Sequence, residues 1–150
     1  MSIPSEWIEH HQGAYTISTD PSRLDIPMIH QFLSQESYWA KGRSYETVKT
    51  SIAHSLNFGV YSQDQQVGFA RVVTDYATFS WLCDVFILEG HRGQGLSKWL
   101  VKTIINHPDL KGLRRILLAS TTARGLYQKY AGFEPLHGPE RWLERFNPNA

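Results

Sequence analysis

The sequence predicts a three-layer α/β domain, a mixed sheet flanked by helices, and two observations carry that prediction. The hydrophobic period changes from helical to strand-like after Asn57, and helical patterns return beyond residue 95, so helices stand on both sides of a run of strands. The stretch ATFSWLCDVFILEG, residues 77–90, carries apolar residues on both faces, which expects a strand in the middle of a sheet covered by helices. With 150 residues, the chain is expected to form one domain, 1–150, with a sizeable core.

The elements follow in order. AYTIST, Ala14 to Thr19, reads as a first strand. Asp20-Pro21 reads as an N-cap followed by proline at the first helical position. Ile26, Ile29 and Leu33 then mark one face of a helix over 21–34. QESYWAKGRS is a loop bearing two aromatics, and Ser44 caps a second helix with Val48, Ile52 and Leu56 at spacings of four. FGVYS and QVGFARVVT flank QDQQ as a hairpin, ahead of the long apolar strand. Leu96, Leu100 and Ile104 give the next helix, which His107-Pro108 ends. LRRILLAS reads as another buried strand, and Thr121 or Thr122 caps a last helix carrying Leu126 and Tyr130. GFEPL and ERWLERF read as final strands.

Composition excludes several classes. Apolar residues make up 41% and charged residues 19%, an ordinary globular balance. A net charge of +1 implies no polyanion-binding surface, so no nucleic-acid partner is expected. No apolar run approaches the roughly 20 residues of a membrane span. The polar start MSIPSEWIEHHQG does not read as a signal peptide, and the expected location is cytoplasmic. Cys83 is the one cysteine; it reads as a buried, inert thiol. His10 and His11 are adjacent, without further residues at metal-ligand spacing, so no metal is expected.

HRGQGLSKWL, His91 to Leu100, sets two glycines around Gln94 where a helix begins. Glycine permits positive φ and close backbone approach. A helix start offers unpaired N–H groups and partial positive charge. A strand, a glycine turn and a helix start together make an anion cradle, and Arg92 adds charge beside it. A Walker A loop does not fit, because Lys98 follows Ser97 and not a glycine. The dinucleotide pattern lacks its third glycine and its early βαβ unit.

What fits is R-x-x-G-x-G/A, with Ser97 at the last place. This resembles the central motif of the GNAT superfamily of N-acetyltransferases, which bind acetyl-coenzyme A. The strand ending from Ile87 to Gly93 is similar to the family's V-x-P-x-x-R-G, with Glu89 in place of proline. ARGLYQKYAGF, Ala123 to Phe133, is similar to its later A-x-x-L-Y-x-K-x-G-F. The phrases SYWAKGRSYE, VGFARVVTD and GLYQKY resemble a bacterial subgroup of largely unassigned substrate. The likeness covers about residues 14–136. It implies a mostly antiparallel mixed sheet and direct acetyl transfer to a small primary amine. It implies cofactor contacts from Ile87 and Leu88 and, in the turn, from Arg92, Gly93, Gln94, Gly95, Leu96 and Ser97. It implies that Tyr127 protonates the leaving sulfur. One extra residue stands between Tyr127 and Gly132 compared with the family pattern. It is expected to distort the turn toward Gly132 more than it moves Tyr127.

An amine of pKa ~10.4 is mostly charged at pH 7, so a proton acceptor helps. Asp84 in the central strand is the best-placed carboxylate; its other reading is a structural group bonded to backbone or arginine. His30 and His54 are weaker candidates. Tyr38, Trp39 and Trp81 either line an acceptor pocket or pack in the core. Three rivals stand beside the small-amine enzyme: a peptide or protein N-acetyltransferase, an acetyl-coenzyme A sensor without turnover, and an unrelated nucleotide binder. The RWLERF end offers a surface for pairing two subunits as a homodimer.

Overall fold

In the computed structural model, which describes residues 6–150, six strands form one sheet in chain order, β1 to β6. β1 (Glu9–Gln12) and β2 (Tyr15–Ser18) make a hairpin that turns at Gly13, φ 58°. β1 is polar and exposed along its whole length, so no hydrophobic alternation announces it in the sequence. β3 (Leu56–Ser62), β4 (Gln65–Thr74) and β5 (Phe79–Ile87) continue the antiparallel order, and β6 (Arg115–Leu117) runs parallel to β5. The sheet is mixed and mostly antiparallel, as expected.

The single helix expected over 21–34 is broken. Pro21–Arg23 form a 3-10 turn capped by Asp20, and Leu24 is extended. α1 (Ile26–Gln31) starts afresh from Asp25, whose side chain accepts the Met28 N–H at 3.1 Å. A π-helical turn, Phe32–Glu36, follows. Pro27 accounts for the break. It has no N–H for the carbonyl four residues back, and it disfavours helical geometry in the residue before it. The Asp25 N–H bonds the Gln66 side chain at 2.7 Å instead, which fastens α1 to β4. α2 (Tyr45–Ala53) begins as expected, with Ser44 Oγ accepting the Thr47 N–H at 3.1 Å and Val48 and Ile52 buried.

The two faces of the sheet carry separate cores. Phe58, Val72 and Leu82 pack with Leu100 and Ile104 of α3 (Leu96–Ile105). On the other face Phe69 and Phe86 pack with Ile29, Phe32, Val48 and Ile52. α4 (Arg124–Ala131) lies on the α3 side, its Tyr127 belonging to that core. These are the three layers.

Four local expectations need correction. β5 is the fifth strand of six rather than a middle one, and Trp81, Cys83 and Val85 along it are half-exposed. Burial on both faces belongs instead to β3 and β4. β6 is an edge strand of three half-buried residues. Neither Thr121 nor Thr122 caps α4; its N-cap is Ala123, whose N–H bonds Ser120 Oγ at 2.9 Å. Neither GFEPL nor ERWLERF forms a strand. Pro135 and Pro139 remove ladder donors. Leu143 is 96% and Phe146 76% exposed, so this end lacks the apolar burial that would order a strand.

Candidate active site

β5 and β6 pair only through Phe79–Trp81 and Arg115–Leu117. Beyond that the strands part, and β5 runs on to Ile87 with its edge unpaired toward Leu118–Thr121. Such an edge presents backbone N–H and C=O groups that need partners.

At the far end of β5 lies the glycine turn. Gly93 and Gly95 take φ 80° and 77°, conformations open to glycine and costly for other residues. Gly95 is the N-cap of α3, and no side chain caps that end. The first N–H groups of α3 therefore face a cavity of about 290 Å³ lined by Ile87, Arg92, Gly93, Gly95, Leu96 and Ser97, with Leu126 and Tyr130 of α4 opposite. A Cβ built on Gly93 or Gly95 meets nothing within 4 Å, so the space above the backbone is open. The Arg92 Nε donates to the Ile87 carbonyl at 2.8 Å and braces the turn. Gln94 and Leu88 lie outside the cavity lining. The Gln94 side chain accepts from Tyr15 on β2, and the Leu88 N–H bonds the Val67 carbonyl at 2.8 Å.

A second cavity, of about 440 Å³, opens where β5 and β6 part. Asp84 lies in its floor, and a β-bulge puts it there. Phe69 pairs with Phe86 and Arg71 with Cys83, so Asp84 and Val85 stand opposite Ala70 alone. Strict alternation would place Leu82, Asp84 and Phe86 on one face. Leu82 packs on the α3 side and Phe86 on the α1–α2 side, so the bulge turns Asp84 toward α1 and α2. Asp84 takes φ 54° there, a conformation aspartate tolerates better than most side chains.

The Asp84 carboxylate is almost fully buried, 2% exposed, and meets four donor contacts. Oδ1 accepts from Trp39 Nε1 at 3.0 Å and Arg43 Nη1 at 3.2 Å. Oδ2 accepts from Arg43 Nη1 at 3.0 Å and Arg71 Nε at 2.9 Å. A carboxylate has about four lone-pair sites, so all are occupied. Sequence reasoning missed Arg43 and Arg71. The signal was available: an aspartate inside an apolar strand requires a buried cation beside it, and Arg71 stands in the strand that pairs with it.

Tyr127 is buried and borders the same cavity. Its ring meets Phe133 edge-on at 5.8 Å. Burial, with the nearby Tyr38 phenol, pushes its hydroxyl up to about 12. The extra residue after Tyr127 is absorbed at the end of α4, where the N–H groups of Gly132 and Phe133 both reach the Tyr127 carbonyl. That span is one residue longer than an ordinary helical C-cap. Cys83 also borders the cavity, and burial pushes its thiol up to about 12.

Tyr38 closes one side. Its hydroxyl accepts the Thr121 N–H at 3.1 Å, joining the loop after α1 to the segment before α4. Bonds donated by Thr121 hold that phenol below its ordinary value. Trp81 lines the cavity as well. The two histidine candidates stand elsewhere: His30 is bonded to the Arg43 carbonyl and His54 to the Thr50 carbonyl. Among the described residues no three His, Cys, Asp or Glu side chains are grouped to hold a metal ion, and no helix is long and apolar enough to cross a membrane.

Comparison with known proteins gives a consistent result. The model of the Acetyltransferase (GNAT) family matches residues 26–133. A protein of Gibberella zeae described as an acetyltransferase is 31% identical, over 89% of this chain and 85% of its own length. The crystal structure of a Xanthomonas campestris protein, described as an acetyltransferase belonging to the GNAT family, is 48% identical, covers 92% of this chain and 96% of that one, and superposes with a TM-score of 0.88. A GNAT acetyltransferase from Elizabethkingia anophelis with acetyl-CoA bound shares the fold at 16% identity and a TM-score of 0.59, over 79% of this chain and 76% of its own.

Proposed function

The chain belongs to the GNAT family of acetyltransferases, and on that premise we propose that it moves an acetyl group from acetyl-coenzyme A directly to a small amine. The observation that carries this reading is a continuous path along one strand. It runs from the uncapped α3 N-terminus, past the unpaired edge of β5, to the cavity bordered by Tyr127. The N–H groups after Gly95 hold the pyrophosphate, as helix N-termini do. Ile87 and the open β5 edge hold the arm that leads to the thioester. Leu88 and Gln94 support this wall without touching the ligand.

In the transfer the amine nitrogen bonds the acetyl carbon, the carbon–sulfur bond breaks, and sulfur leaves with the electron pair. Tyr127 donates its O–H to that sulfur, and the proton lost by the amine passes to water. With the phenol near 12 and a thiol near 8.5, full transfer is uphill by about 5 kcal/mol at ~1.4 kcal/mol per unit. Tyr127 therefore acts as a hydrogen-bond donor that strengthens as thiolate charge develops, and it stays protonated throughout the neutral range. Cys83 has little thiolate to offer as a nucleophile, which favours direct attack over an acyl-cysteine step. Asp84 is assigned a positioning role: with every lone pair engaged, it holds Trp39, Arg43 and Arg71 around the cavity. The Tyr38–Thr121 bond narrows the opening, which favours a small acceptor over a peptide.

The test is calorimetric titration with acetyl-coenzyme A, then thiol release across an amine panel. Micromolar binding and acceptor-dependent thiol release are expected. Absence of binding at millimolar acetyl-coenzyme A overturns the reading, and binding with no thiol release from any acceptor leaves the sensor rival standing.

A further inference from the structure

We infer that the acceptor is an amine that also carries a carboxylate, and that Arg43 and Arg71 hold that carboxylate. The inference rests on the acetyltransferase reading above and names the substrate class of its cavity.

Charge is the first observation. Among the described residues, the charged side chains lining the acceptor cavity are Arg43, Arg71 and Asp84. Two guanidiniums face one carboxylate, so the cavity carries one net positive charge. Arginine stays charged at every relevant pH. A simple ammonium entering this space meets repulsion and finds no free acid, because the four Asp84 contacts leave no lone pair for it. An acceptor bearing its own carboxylate cancels the surplus.

Donor geometry is the second. Arg43 spends one nitrogen, Nη1, on both Asp84 oxygens. Arg71 spends Nε on Asp84 and Nη1 on Ser55 Oγ, at 2.9 and 3.1 Å. Among the described residues Arg43 Nε and Nη2 and Arg71 Nη2 have no partner. A guanidinium edge with two free N–H groups matches a carboxylate in bidentate fashion. The two side chains are 24% and 13% exposed, enclosed enough to strengthen the pair and open enough to be reached.

The walls are the third. Trp39 is fixed by its bond to Asp84, Tyr38 stacks edge-on against Trp39 at 5.1 Å, and Trp81 lines the same space. These faces suit an apolar or aromatic side chain carried next to the amine and the acid. Phenylalanine- or leucine-like amino acids fit that description. Polyamines do not.

The experiment compares matched acceptors on the wild-type protein with acetyl-coenzyme A: phenylalanine against phenethylamine, tyrosine against tyramine, leucine against isopentylamine, and each amino acid against its amide. Thiol release is the readout. The carboxylated member of each pair is expected to win by about 10-fold or more in kcat/KM, the scale of a charged hydrogen bond. Arg43→Met is expected to raise KM for the carboxylated acceptor about 10- to 100-fold and to erase the preference, with the acetyl-coenzyme A affinity unchanged. That unchanged affinity also shows that the variant is folded. Equal or reversed preference within the pairs overturns the inference, and so does thiol release confined to uncharged or cationic amines. A protein that binds acetyl-coenzyme A yet neither turns over nor binds any of the amino acids overturns it equally. A protein that does not bind acetyl-coenzyme A fails at the earlier step, and the acetyltransferase reading falls together with this one.

Discussion

Asp84→Asn tests the centre of the cavity, because it keeps the side chain's shape while removing its charge. Contacts of 2.9 to 3.2 Å converge on the two carboxylate oxygens. An asparagine oxygen accepts about two of them, and its NH2 then faces a guanidinium donor with nothing to accept. Two cations lose their shared counter-charge in a place where the acid is 2% exposed. Removing one partner of a buried pair costs about 3–5 kcal/mol. Water reaches Arg43 at 24% exposure, which argues for the lower end, about 3 kcal/mol. With a urea slope of about 2 kcal/mol/M, the midpoint should fall by roughly 1.5 M, read by fluorescence of the five tryptophans. The same Arg43→Met change should cost less in the Asp84→Asn background than in wild type, with a coupling of at least ~1 kcal/mol. A variant within about 0.5 kcal/mol of wild type would show that the carboxylate does not hold the arginines. Loss of turnover in such a stable variant would return Asp84 to the role of proton acceptor.

Other expectations concern the cofactor end, the tyrosines and pH. Tyr127→Phe should keep the packing against Phe133 and leave acetyl-coenzyme A affinity within a few-fold. Its kcat and kcat/KM should fall together by ~10², and a wild-type rate with chemistry rate-limiting would reduce the tyrosine to packing. Gly95→Val meets open space at Cβ but must hold φ 77°, at about 1–3 kcal/mol. The variant should fold, melt lower and lose cofactor binding, and an unchanged calorimetric affinity refutes the cradle. Burial holds Tyr61 and Tyr127 near 12, above the ~10 of an unfolded tyrosine. Between those values the unfolded chain releases its protons first, so stability is fully present below about pH 10 and drains away toward pH 12, by ~1.4 kcal/mol per unit per tyrosine. Burial also raises Cys83, which begins the decline about a unit lower. Urea midpoints flat from pH 9 to 11 would refute this, and Tyr61→Phe should flatten the slope.

Legibility in the sequence followed the range of the forces involved. Ser44 was readable as a cap because its bond to the Thr47 N–H spans three residues. The glycines at 93 and 95 were readable because positive φ is a local demand. The break before α1 was within reach too, since Pro27 carries its own veto; the apolar spacing of Ile26, Ile29 and Leu33 concealed it. β1 was not, because EHHQ gains its place from pairing with β2 and not from any apolar face. The final strands failed in the opposite way. Their side chains look suited to a strand, yet strand structure needs a partner, and among the described residues GFEPL and ERWLERF pair with none.

By itself the sequence determined the local conformations: the Ser44 cap, the left-handed glycines, the amphipathic faces of α2 and α3, and the motif order that marks the family. Each of these is decided by sterics or hydrogen bonds among residues a few positions apart. Only the tertiary structure decided the cavity. One extra residue in β5 opposite Ala70 turned Asp84 to the α1–α2 face. That placed it between Arg43, 41 positions away, and Arg71, 13 positions away. Which way a side chain faces after a bulge depends on how two strands pair, and the charge balance of a cavity depends on which distant cations that pairing delivers. Neither is a property of any short stretch of chain.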